Sequence, residues 1–132
     1  MATSPNLEVT HLVANAANPE ITVNEATNLL DECIAGMFTY DLLSDADYTL
    51  SDVLNSEEWK YAAIKITDTS VFLTTGRNII VPTNTKSYVF INGTAQTLTL
   101  KTSGGTGIAV TTGLAQLLFC DGTNVIAISA AQ

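Results

Sequence analysis

The 132 residues predict a mainly β fold: a small antiparallel β-sandwich or barrel with one N-terminal helix and an extended N-terminal arm. Three observations carry this. Residues 86–128 read as short runs of branched and aromatic side chains separated by Gly- and Asn-bearing turns, the composition of a pleated, half-buried surface. Within them Leu98 and Leu100 fall on one face and Thr97, Thr99 and Lys101 on the other, a period of two. Only one stretch, 21–37, has a convincing helical period.

Residues 1–20 are polar, with Pro5 and Pro19, and hold too few apolar groups to fold alone. They are expected to form an extended arm pinned by Leu7, Val9, Leu12 and Val13. The helix of 21–37 is expected to open at Thr22, with Glu25 completing a capping box, and to stop at Gly36. Val23, Ala26, Leu30, Cys33 and Met37 are spaced 3, 4, 3, 4, a short heptad seam. That stripe fits either a helix lying on a sheet or a helix packed around a symmetry axis. Residues 38–58 form an acidic connecting segment in which Asp45-Ala46-Asp47 starts like a calcium loop. It lacks the later Gly and Glu such a loop needs, so it reads as a solvated face.

The β domain spans 59–132. Ile64 and Ile66 alternate with Lys65 and Thr67, residues 71–73 read as a short strand, and residues 79–81 form a strand stopped by Pro82. The run Tyr88-Val89-Phe90-Ile91 is apolar throughout, as if covered on both faces. Asn92-Gly93 then predicts a tight hairpin turn with positive φ. Leu98, Leu100, Ile108, Val110, Leu117, Phe119 and Val125 are the expected core.

Charge narrows the partners. Only 14% of residues are charged, low for a free monomer, which fits either surface covered by other protein chains or a Thr- and Asn-rich β domain kept soluble by neutral polar groups. The net charge is −8: residues 1–59 carry eleven acids and no Lys or Arg, and the remainder is net +3. An acidic chain without a basic patch argues against nucleic acid and against anionic membranes. No run reaches the roughly 18 apolar residues of a membrane span. The N-terminus has neither the basic start nor the apolar core of a signal peptide, so assembly in a cytoplasm is expected. Cys33 and Cys120 are read as reduced, buried apolar residues. With His11 as the sole histidine, no catalytic triad and no cofactor or metal set can be composed. Gly104-Gly105-Thr106-Gly107 lacks the Lys-Ser/Thr of a phosphate loop and reads as a turn.

Several ordered motifs carry a resemblance across residues 21–128. They are Ile21-Thr-Val-Asn-Glu-Ala26, Arg77-Asn-Ile-Ile-Val-Pro82, Gly107-Ile-Ala-Val110 and above all Cys120-Asp-Gly-Thr-Asn-Val125. Together they resemble bacteriophage and prophage virion surface proteins, tail-fibre-like or head-decoration β modules. The resemblance implies a cofactor-free structural component of a tailed phage particle, assembled in the host bacterial cytoplasm. It also implies a homo-oligomer, usually a trimer, that contacts capsid or tail proteins. The seam Val23, Ala26, Leu30, Cys33 and Met37 is the expected oligomer interface. The alternative is a host-glycan-binding module of a tail fibre, with Trp59, Tyr61 and Glu57, beside Glu58, as the contacting cluster.

Overall fold

The computed structural model describes residues 2–53 and 56–131. Helix α1 (Pro19–Ala35) precedes β1 (Met37–Asp41), β2 (Tyr48–Thr49), β3 (Asp52–Val53), β4 (Ser56–Glu57) and a 3-10 turn (Glu58–Lys60). Then come β5 (Ala63–Thr67), β6 (Arg77–Val81), β7 (Lys86–Gly93), β8 (Leu98–Thr102), β9 (Gly107–Val110), β10 (Ala115–Cys120) and β11 (Val125–Ala127). The fold is mainly β with one α-helix near its N-terminus. Among the described residues no helix is long and apolar enough to cross a membrane.

The sheets correct the antiparallel expectation. One has five strands in the order β1-β5-β7-β10-β11 and the other four in the order β2-β6-β8-β9; both are mixed, and neither closes into a barrel. The β1–β5, β5–β7, β2–β6 and β6–β8 pairs are parallel. Among the named strands the antiparallel pairs are β7–β10, β10–β11, β8–β9 and the small β3–β4 hairpin. The reason lies in the route of the chain. It steps from β5 to β6, to β7, to β8, changing sheet each time, so each strand returns beside its predecessor in the same direction. Parallel neighbours need a long crossover, and here a strand of the opposite sheet supplies it.

Asn92 marks one such crossing. Neither Asn92 nor Gly93 has positive φ, and β7 and β8 lie in different sheets, so the predicted hairpin does not form. Asn92 is fully buried instead. Its Nδ2 donates to the carbonyls of Gln96 (2.8 Å) and Val110 (2.9 Å), and its Oδ1 accepts from the N–H (2.9 Å) and hydroxyl (2.8 Å) of Thr94. The side chain thereby satisfies the backbone of a corner that no ladder could serve. The other turns are as expected. Asp121 Oδ1 accepts the N–H groups of Thr123 and Asn124, and Gly122 takes φ +99. Gly105 packs beneath this turn; a Cβ there would meet the Thr123 carbonyl at 2.0 Å.

Ile64, Ile66, Tyr88, Phe90, Leu118 and Cys120 of one sheet meet Ile79, Val81, Leu98, Leu100 and Val110 of the other in a single core, closed by Leu42, Leu50, Trp59, Leu73 and Val125. The expected inward positions of β10 are reversed: Gln116, Leu118 and Cys120 are buried, while Leu117 is exposed and Phe119 only half-buried. Val89 is likewise exposed, so the run 88–91 has one covered face. Residues 71–73 are a loop in which Asp68 accepts the N–H groups of Phe72 and Leu73 (both 2.9 Å).

The N-terminal third departs further. The arm is folded back by a Thr3–Thr10 bridge rather than extended, and Asn84 Nδ2 donates to the Asn6 carbonyl at 3.0 Å. The helix starts one turn earlier than predicted, with Pro19 in its first turn and Asn18 as N-cap, so Thr22 is interior and no capping box forms. Proline's fixed φ suits that start. Gly36 does stop the helix, donating to Glu32 O at 2.9 Å. A Cβ there would lie 2.9 Å from Tyr61 Cδ1, so glycine allows the close approach. The segment 38–58 is no plain connector, since it holds most of β1 and all of β2–β4. Its acids are fasteners. Asp45 accepts from Arg77 Nε at 3.0 Å, and Asp47 Oδ1 from the Asn78 N–H at 2.9 Å. The hydrogen bond from Arg77 holds the Asp45 carboxyl below its usual range.

Candidate functional site

The five proposed seam residues do not share one surface. Val23 and Leu30 are exposed, and Ala26 and Cys33 are half-buried. Val23, Ala26 and Leu30 form one wall of a groove completed by Val9, His11 and Leu12 from the folded-back arm. Met37 lies outside the helix, as the first residue of β1. None of the described helix residues is buried, so the helix does not lie on its own chain's sheet through this stripe. Both thiols are free: Cys120 is buried, as expected, but Cys33 only half so.

Met37 belongs to a different surface. Register aligns it with Ala63, Ala63 with Val89, and Val89 with Leu117 across the five-stranded sheet. Met37, Val89 and Leu117 are 54%, 39% and 38% exposed, and Ile126 and Ile128 continue the patch along the β11 edge. The outer face of this sheet is therefore an apolar band, built from positions remote in sequence.

The proposed glycan cluster is divided. Trp59 has no exposed surface, and its Nε1 donates to Asp52 Oδ1 at 2.6 Å. It is a core residue and offers no face to a sugar. Glu57 and Tyr61 do line a cleft of about 730 Å³ between α1, β1 and the 3-10 turn. Glu58, from the same cluster, lines it too, and sequence reasoning missed the rest: Glu25, Asn28, Leu29 and Glu32 from the helix, with Phe38 and Ser51. A signal was present. Glu25, Leu29 and Glu32 recur at i, i+4 and i+7, a second stripe on one side of the same helix.

Each carboxylate in the cleft is placed differently. Glu58 Oε1 accepts from the Tyr48 hydroxyl at 2.6 Å and the Ser51 N–H at 2.7 Å. Burial, reinforced by Glu58, raises the Tyr48 pKa well above that of a free phenol. Glu57 is 6% exposed; its Oε1 accepts from Lys60 Nζ at 3.2 Å, and its Oε2 has no hydrogen-bond partner among the described residues. Phe38 and Tyr61 face each other at 5.7 Å between ring centroids. Burial, followed by the neighbouring Glu32, raises the Tyr61 pKa. The arrangement is an anionic, aromatic-walled cleft that can accept hydrogen bonds and attract positive charge. Against known proteins, no family model, curated sequence or solved structure matches this chain.

Proposed function

We propose that the chain is a structural surface protein of a tailed bacteriophage particle, a small homo-oligomer that decorates the head or forms a short tail-fibre component. One observation supports this reading above the others. A chain with only 14% charged residues leaves an apolar sheet face at Met37, Val89 and Leu117 and an apolar helix stripe at Val23 and Leu30 open to solvent. Contiguous open apolar surface on a soluble chain marks contact with other proteins. In this reading the covering partners are copies of the chain, as a trimer, and neighbouring capsid or tail proteins. The ordered phage-like motifs across residues 21–128 point the same way.

Light scattering tests the oligomer: a trimer of a 14.0 kDa chain has a mass near 42 kDa. Mass spectrometry of purified particles tests the location. Hundreds of copies per particle indicate head decoration and a handful indicate the tail; absence from particles overturns the proposal.

The second reading, a host-glycan-binding module, keeps Tyr61 and Glu57 in the cleft and loses Trp59. A glycan array separates the two readings, because a purely structural protein leaves it blank.

A further inference from the structure

We infer that the cleft between α1 and the 3-10 turn is a binding site for a primary ammonium carried on an alkyl chain. The inference stands on the cleft's own residues and does not rest on the virion reading. Glu25, Glu32, Glu57 and Glu58 all line it, and among the described residues the only cation bonded to any of them is Lys60. That lysine pairs with Glu57 inside the fold, where the two side chains are 2% and 4% exposed. Glu25, Glu32 and Glu58 are left without a cation among the described residues.

The second observation is the orphaned oxygen. Buried polar atoms are nearly always hydrogen-bonded, and one left without a donor costs stability. Glu57 Oε2 is such an atom, on a residue that lines the cleft. The terminal torsion of a glutamate is soft, so a small rotation offers this oxygen to a donor entering the cleft. An ammonium supplies three N–H donors and the opposite charge. The walls match the rest of such a ligand. Leu29 can line an alkyl stem, and Phe38 and Tyr61 present aromatic rings, which attract cations through their faces.

The geometry selects an extended cation over a point charge. Among the described residues no three His, Cys, Asp or Glu side chains converge as metal ligands, so the acids are spread along the cleft. Two sources share the ammonium chemistry: a free polyamine, and a lysine on a second copy of the chain. The second is open because Lys65 and Lys101 lie outside the acidic half and pair with no carboxylate among the described residues.

The test is calorimetric titration of the full chain with spermidine at low salt, read in parallel by fluorescence. Trp59 is the sole tryptophan and lies 5.4 Å from the Lys60 ammonium, so it reports on the Glu57 corner. The expected result is saturable binding at one spermidine per chain with a shift in Trp59 emission. Glu25→Gln with Glu32→Gln should weaken it about tenfold or more, the loss of charge-assisted contacts. Glu20→Gln, on the helix but outside the cleft, should change it less than about twofold, as for a screened surface charge. If the double variant does not fold, Glu25→Gln alone, on an exposed side chain, is the variant to read. Binding that never saturates, or that falls equally with Glu20→Gln, overturns the site. Where binding holds, light scattering assigns the source. Spermidine that dissociates an oligomer, as Lys65→Ala with Lys101→Ala also does, identifies the lysine of a second copy; an unchanged assembly identifies a free amine.

Discussion

The two sheets and the helix treat similar apolar stripes in opposite ways. Leu98 and Leu100 alternate with Thr99 and Lys101 along β8, and both leucines are fully buried. Val23 and Leu30 sit one above the other on α1 and are 49% and 45% exposed. A strand's stripe is covered by the facing sheet of the same chain, because each crossing of the chain builds both layers at once. The helix precedes that coil, and its stripe borders only a short folded-back arm. Periodicity therefore identifies a face that needs covering, and topology decides whether this chain covers it.

The largest expected effect tests the reversed strand, β10. Leu118→Ala removes a fully buried side chain paired across the ladder with Tyr88 and should cost about 2–5 kcal/mol in chemical denaturation. Leu117→Ala, one residue earlier on the open face, should cost below about 1 kcal/mol in the monomer. Equal losses would put both faces of the five-stranded sheet in the core.

Next in size is the corner between the sheets. Asn92→Ala removes four hydrogen bonds and takes a donor from the Val110 carbonyl and the acceptor from the Thr94 N–H, while the Gln96 carbonyl keeps only the Thr94 hydroxyl. The expected destabilisation is about 2–3 kcal/mol, the cost of stranding buried polar groups. A loss within about 0.5 kcal/mol, typical of a surface position, would mean that Asn92 is not the corner's internal bracket.

These two sites also show what was legible in the sequence. The strands were, because Leu98/Leu100 and Ile64/Ile66 alternate with polar residues. Their assignment to sheets was not: Asn92-Gly93 has the composition of a hairpin turn whether the chain reverses within one sheet or steps to the other. The facing of β10 was hidden because Leu117 and Phe119 are as apolar as Leu118 and Cys120, while the polar Gln116 falls on the face that is buried. Glu57 and Tyr61 were singled out, but the cleft they share is assembled from helix, strand and turn. Its helical part alone was readable, as Glu25, Leu29 and Glu32. The apolar band through Met37, Ala63, Val89 and Leu117 needs the register of four strands and has no local signature at all.

A smaller effect comes from Lys86, a buried residue whose ammonium lies 4.3 Å from the centroid of the Tyr88 ring. Its Nζ donates to the carbonyls of Tyr61 (2.7 Å) and Ser87 (2.9 Å), and burial pulls its pKa down to about 8. A neutral amine still donates to both carbonyls, so the fold favours the deprotonated form. The unfolded chain then holds a proton that the folded chain has released, and stability rises with pH from about 8 toward 10.5. Burial raises the Cys120 pKa above 9.0, so the fold favours its neutral thiol and loses stability above that pH. The gain is thus visible between about pH 7.5 and pH 9 and should reach roughly 1 kcal/mol. Denaturation of the native chain and of Lys86→Met across that window checks this. The rise should vanish in the variant, and its persistence there would assign it to another group.

The smallest effect on the folded monomer belongs to the helix, and it sharpens the contrast most. Leu30 is 45% exposed on a helix whose described residues are all unburied. In a monomer Leu30→Asp places a carboxylate where water already reaches, so the melting transition of dilute protein should move by an amount within about 0.5 kcal/mol. If copies of the chain cover this stripe, the same carboxylate enters an apolar contact without a partner, and the oligomer should dissociate at concentrations where the native chain remains assembled. Light scattering on both proteins, with thermal melts of the dissociated species, reads the two effects separately. An oligomer that persists in Leu30→Asp but dissociates in Leu117→Asp would move the interface to the outer face of the five-stranded sheet. A large loss of monomer stability in Leu30→Asp would mean that the chain covers its own helix after all, and the difference between the two stripes would disappear.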